Sequence, residues 1–125
     1  MGRFLLFIAL TIAGCAGPAA LTPKQWEYIR AHPELGDSGR NALLERAIAV
    51  GQRLDRVLAA WDGLRVERKP HQPGSRIDTY EFFVAIDGRP VAVRGPEGGE
   101  TITTGRVLLT FRDEVLVSWV RLEYE

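Results

Sequence analysis

Cysteine is nearly missing from this chain: among 125 residues there is one, Cys15. With no second thiol, no intrachain disulfide can form. Histidine is almost as scarce, with His32 and His71 the only two. A metal site needs three or four ligands at suitable spacing, and no such cluster stands in the sequence, which implies neither metal nor cofactor. No excess of charge of either sign exists, since 16 Lys and Arg face 16 Asp and Glu. That balance argues against nucleic acid as a partner. Lysine itself is rare, only Lys24 and Lys69, and arginine supplies the remaining cations. No internal repeat or low-complexity tract is present.

Catalytic patterns are missing too. Ser38, Ser75 and Ser118 fall in a helix start, a loop and a strand, none of them the strand-to-helix elbow of a nucleophile. Asp113 and Glu114 sit at a hairpin turn, where solvated carboxylates are ordinary and a glycosidase pair is not expected. The glycines of residues 95–101 superficially resemble a phosphate cradle. They lack the lysine, carry Glu97 and Glu100, and lead into a strand instead of a helix. No enzyme and no small-molecule substrate is inferred.

What is present begins at the N-terminus. Arg3 precedes an apolar run, Phe4-Leu5-Leu6-Phe7-Ile8-Ala9-Leu10, and small residues follow it. This is the three-part layout of a secretory signal. The run meets Gly14, Gly17 and Pro18 too early for the roughly 20 apolar residues of a membrane-spanning helix. Its end, Ile12-Ala13-Gly14-Cys15, resembles the lipobox of bacterial lipoproteins. There the cysteine receives a diacylglycerol and becomes the acylated N-terminus. An ordinary signal with Ala-x-Ala cleavage is the alternative, which Ala13 and Cys15 only half fit. Several acyl chains anchor firmly, because each buried methylene adds about 0.8 kcal/mol. Ala16, where aspartate commonly signals inner-membrane retention, points to an outer-membrane lipoprotein facing the periplasm. Residues 1–14 are thus expected as leader and residues 15–21 as a lipidated tether.

The rest, residues 22–125, is long enough for one small domain with a real core. Thr22-Pro23-Lys24-Gln25 predicts a helix start, with Thr22 as cap, Pro23 at the first position and Gln25 completing a capping box. His32-Pro33 ends that helix. A second helix is expected from about Ser38, carrying Ala42, Leu43, Ala47 and Ile48 inward and broken by Gly51. A third, residues 54–61, places Leu54, Val57, Leu58 and Trp61 on one face, and Asp62-Gly63 stops it. Residues 64–124 then alternate. A weak strand at 64–68 and a loop at 71–75 precede a strong strand at 77–86, whose even face reads Tyr80, Phe82, Val84 and Ile86. Asp87-Gly88 predicts a hairpin into residues 91–94, and residues 95–100 an exposed loop. The chain returns at 106–112 and turns at Asp113-Glu114 into 115–124. Helices first (22–62) and strands afterwards (64–124) predict an α+β fold, with N-terminal helices packed on one face of a C-terminal antiparallel β-sheet in a meander.

A two-residue turn at Asp113-Glu114 would pair Arg112 with Val115 and Phe111 with Leu116. One face of that hairpin then carries Val107, Leu109, Phe111, Leu116, Ser118, Val120 and Leu122, the better core face. The opposite face carries Leu108, Val117 and Trp119 among Thr110, Arg112, Val115 and Arg121. Such a face is too apolar for solvent, so either another element covers it or a partner does. Leu108, Val117 and Trp119 are therefore the candidate partner surface. The basic residues Arg65, Arg68, Lys69, His71 and Arg76 fit an edge strand protected by charge, or contacts to lipid phosphates or an acidic partner.

Residues 47–61, Ala-Ile-Ala-Val-Gly-Gln-Arg-Leu-Asp-Arg-Val-Leu-Ala-Ala-Trp, resemble the SmpA/OmlA family of small outer-membrane lipoproteins. Members of that family include the smallest lipoprotein of the β-barrel assembly machinery. Residues 107–119 resemble its closing hairpin, and the likeness covers about residues 47–122. Gln52 and Arg53 stand where the family has Met and a capping Thr or Ser, and Asp62-Gly63-Leu64 replaces Gly-x-Pro. The resemblance implies an α+β helix-and-sheet fold and a protein-binding or scaffolding role in outer-membrane assembly or maintenance, with no catalytic residues. An inhibitor-type secreted module, by fold analogy, and a small envelope enzyme are the competing readings.

Overall fold

The computed structural model describes residues 20–86, 88–96 and 98–123. The expected leader, Cys15 and most of the tether lie outside the described residues. Helix α1 (Pro23–Ala31) begins with the predicted capping box. The Thr22 hydroxyl accepts from the Gln25 N–H at 3.1 Å, and the Gln25 carbonyl oxygen accepts from the Thr22 N–H at 3.0 Å. Gln25 is also buried, and its amide group donates to the carbonyls of Leu43 (3.1 Å) and Ala60 (3.2 Å). Those carbonyls belong to the last turns of the next two helices, where the i+4 helical donors run out, and that of Leu43 also accepts from the Arg46 N–H. One side chain therefore starts α1 and closes its two neighbours.

His32-Pro33 ends α1 as expected, and a short 3₁₀ turn (Pro33–Leu35) leads into α2 (Gly36–Leu44). Helix α2 stops earlier than the sequence pattern predicts. Arg46 takes a left-handed φ of 58°, and the N–H groups of Glu45 and Arg46 close on Asn41 and Leu43. Ala47 and Ile48, expected on the inner face of this helix, instead form strand β1 (Ala47–Ala49). A run of Ala and Ile suits either state, and pairing with a distant strand decides it. Gly51, at φ 101°, reverses the chain into α3 (Leu54–Ala60). A side chain at that φ would be strained.

Six strands follow: β2 (Arg65–Arg68), β3 (Ile77–Val84), β4 (Val91–Arg94), β5 (Gly99–Ile102), β6 (Gly105–Arg112) and β7 (Val115–Leu122). The fold is α+β, with three helices in the N-terminal part and an antiparallel sheet of order β2-β3-β6-β7 built from the C-terminal part. Strands β4 and β5 leave that sheet and join β1 in a second one, of order β1-β4-β5, in which β1 and β4 run parallel. The hairpin predicted at Asp87-Gly88 therefore does not form between β3 and β4, which belong to different sheets. Strands β4 and β5 pair antiparallel with Arg94 opposite Gly99, so Gly99 and Glu100, expected in a loop, are in a strand.

A single core joins these parts. Leu43, Val57, Ala60 and Trp61 from the helical region meet Phe82, Val84, Val107, Leu109, Phe111 and Leu116 from the larger sheet. Ile48, Val91, Val93 and Ile102 come from the smaller one. Trp61 packs edge-on against Phe82 at 5.1 Å, and its indole N–H donates to the Arg46 carbonyl at 3.0 Å. As expected, Tyr80, Phe82 and Val84 turn to the core, whereas Ile86 lies past the end of β3 and is exposed.

Candidate partner surface

The β6–β7 hairpin starts in the predicted register, with Arg112 opposite Val115 and Phe111 opposite Leu116. Asp113 and Glu114 both take positive φ, 52° and 66°, the geometry of a two-residue turn whose twist suits antiparallel strands. The register then shifts. Thr110 faces Ser118, and Leu109 faces Trp119, so Val117 is an extra residue in β7, a β-bulge. Side chains alternate with period two, and one inserted residue exchanges the two faces beyond it.

That exchange corrects the faces predicted for this hairpin. Trp119 shares the core-side row of Tyr80 and Leu109, packs against the core, and its indole N–H donates to the Gly95 carbonyl. It is not brought together with Leu108. Val120, predicted inward, lies opposite Leu108 and is 53 % exposed, while Val117 at the bulge is 43 % exposed. Arg121 likewise lies in the row of Val107, paired with Glu100 and donating to the Thr104 carbonyl. Nothing in a period-two pattern announces a bulge, so alternation alone puts Val120 on the inner face and the structure puts it on the outer one.

The outer face of the four-stranded sheet can now be read as rows. Arg65, Phe83, Arg106 and Leu122 form one; Glu67, Glu81, Leu108 and Val120 the next; Thr79, Thr110 and Ser118 a third. Charge gathers toward β2, and apolar surface at the β6–β7 side. Phe83 is the aromatic ring of this face, and the Arg65 guanidinium lies over it at 4.3 Å. Glu81 is buried on the outer face between Lys69 (2.6 Å) and Arg106 (2.9 Å). The Lys69 hydrogen bond and, more weakly, that of Arg106 hold its carboxyl below the usual glutamate range against the opposing effect of burial.

The start of β7 is engaged on its other edge. Leu116 exchanges backbone hydrogen bonds with Gly51 (2.8 Å) and Gln52 (2.9 Å), and the Leu54 N–H donates to the Glu114 carbonyl at 2.8 Å. Arg53, at the N-cap of α3, makes no side-chain cap, as its residue type predicts. The hairpin tip supplies a backbone acceptor there instead. Beyond Leu116 the outer edge of β7 pairs with no other strand among the described residues.

Other charged groups of the edge strand and of the hairpin tip pair locally. Arg68 and His71 meet Asp78, Arg76 meets Asp113 at 2.5 Å, and Arg53 meets Glu114 at 3.3 Å. The basic cluster of the sequence is thus matched with carboxylates along the edge strand and its turn. The His32 Nδ1–H donates to the Tyr28 carbonyl at 2.9 Å, and the two rings stack at 4.0 Å. Among the described residues no group of three metal-ligating side chains converges, and no helix is long and apolar enough to cross a membrane. Comparison of the chain with family models, with curated proteins and with solved structures gives no match.

Proposed function

We propose that this chain is a non-catalytic protein-binding or scaffolding module of the bacterial cell envelope, of the SmpA/OmlA type. In this reading it is held at the outer membrane, facing the periplasm, by acyl chains on Cys15, and serves outer-membrane assembly or maintenance. The observation that carries the binding role is the apolar corner of the outer sheet face, where Leu108 and Val120 adjoin and Val117 is exposed beside a strand edge that pairs with no strand among the described residues. Apolar surface of this kind, rimmed by polar residues, is typical of surfaces that meet another protein. Trp119 drops out of the predicted surface, and Val120 takes its place.

The anchor is tested by Cys15→Ser with labelled palmitate and membrane fractionation. Loss of label and release from membranes are expected; an equally membrane-bound variant would overturn the anchor. The surface is tested by photo-crosslinkers at positions 117, 120 and 119 in the acylated protein. Defined protein adducts from 117 and 120, with none from the inward position 119, are expected. Adducts from none of the three would refute the surface.

A further inference from the structure

An open cleft of about 530 Å³ lies between the end of α2, the turn after α3 and the end of β3, and it takes in Arg65, Phe83 and Arg106 of the outer-face row next to that of Leu108. Its lining includes four arginines, Arg46, Arg65, Arg89 and Arg106, together with Leu64 and Phe83. In a chain with equal numbers of cations and anions, so many guanidinium groups around one cavity need a cause. Arg65 and Arg106 have acidic partners, Glu67 at 2.7 Å and Glu81 at 2.9 Å. Arg46 and Arg89 form no ion pair among the described residues.

Arg46 is the unusual one. It is 8 % exposed, and its Nε–H is buried with no hydrogen-bond partner among the described residues. Burial first, and the nearby charge of Arg89 second, lower its proton affinity, while Asp62 opposes them from a distance. Guanidinium does not shed its proton in proteins, so a buried arginine keeps its charge and the desolvation cost that goes with it. Arg89 is fixed beside it, its guanidinium donating to the Leu44 carbonyl at 2.6 Å. The local backbone is held as well, since the Arg46 carbonyl accepts from both Trp61 and Ala92. The Arg89 fork is thus oriented, the Arg46 fork lines the same cleft with its Nε–H unused, and two guanidinium groups so placed match the two oxygens of a carboxylate or phosphate. The cleft is not wholly polar, however: Leu64 and Phe83 give it apolar wall, which a bare inorganic ion would leave wet.

We propose that this cleft binds an oxyanion carried on an apolar stem, a carboxylate or a phosphate monoester, with Arg46 and Arg89 holding the anionic group and Leu64 and Phe83 against the stem. The inference does not rest on the lipid anchor or on the partner surface. Its test is NMR titration of the full chain with benzoate, phenyl phosphate and neutral benzyl alcohol. At least one anion should saturate below roughly 20 mM, with shifts centred on residues 46, 64, 83 and 89, while benzyl alcohol does not bind. Preference for benzoate assigns a carboxylate ligand, and preference for phenyl phosphate a phosphate one. Arg89→Gln should weaken binding about tenfold. Ala85→Glu, an exposed position on the cleft wall, should do the same by adding a competing carboxylate without touching the core. Arg112→Gln, on an exposed position elsewhere, should leave it unchanged. Absence of saturable binding by both anions overturns the proposal. So does binding that is unaltered by Ala85→Glu, or equal affinity for benzyl alcohol.

Discussion

Glu81 shows how a single residue on a sheet surface can behave like a core group. Its carboxylate is almost wholly covered, yet what covers it is the pair of cations it binds, Lys69 and Arg106. Its folded-state proton affinity is lowered, so the unfolded chain, near the ordinary value of about 4.3, takes up the proton more readily. The contribution to stability is therefore fully present above about pH 4.3 and is lost as pH falls through the lower folded value. Glu81→Gln should cost about 1–3 kcal/mol near neutral pH, less than a deeply buried pair because both cations can return to water. In urea unfolding across the acid range, the gap between wild type and variant should narrow below about pH 4.3 and close once Glu81 is protonated. A gap that stays constant through this range would mean that the ion pairs do not supply the stability. Gln25 makes the complementary case among neutral groups. Its capping role was legible from Thr-Pro-Lys-Gln, but its bonds to Leu43 and Ala60 were not, because they reach across 18 and 35 residues.

Among the elements, the closing hairpin divides what local pattern can reveal from what it cannot. The turn and its first two pairs were legible in Asp113-Glu114 and the flanking alternation, because a two-residue loop determines the register beside it. The inward and outward faces were legible only as far as Leu116. Val117 is one residue more than β6 can match, and past it the pattern reads on the wrong side. The same hairpin carries a local conflict, since Glu114 sits at φ 66°, a conformation costly for a residue with a Cβ. The Leu54 N–H uses its backbone carbonyl, which any residue provides. Its side-chain pair with Arg53 is 3.3 Å long and more than 60 % exposed on both sides, so it is worth well under about 1 kcal/mol. Glu114→Gly should accordingly stabilise the protein by about 0.5–1 kcal/mol, net of the added freedom of the unfolded chain. A Tm raised by a few degrees is the expected readout by thermal unfolding. A lowered Tm would show that the Arg53 pair outweighs the backbone strain.

For the whole molecule, the two sheets are the feature that sequence pattern concealed most fully. Alternation located the residues of β4 and β6 without saying that they belong to different sheets. Parallel pairing joins Ala47 to Ala92, and such distant contacts leave no local mark. The arginine cleft is equally non-local, as Arg46 and Arg89 meet only once β1 lies beside β4. Trp119 is where the two sheets are fastened by a side chain: it stands in β7, and its indole N–H reaches the Gly95 carbonyl at the β4–β5 turn. Arg121 adds its bonds to Glu100 and Thr104 from the same strand. Replacing Trp119 by Phe keeps much of the apolar packing and removes the donor, for a cost of about 1–2 kcal/mol. If that bond couples two separable units, amide exchange should accelerate across residues 95–102 while residues 105–112, in the middle of the larger sheet, keep their protection. If the shared core makes the sheets one cooperative unit, exchange should instead accelerate equally in both segments, by about tenfold per 1.4 kcal/mol lost. The first pattern is expected, because the buried apolar side chains of β4 and β5 are confined to Val91, Val93 and Ile102. The uniform pattern would refute the fastening role of Trp119.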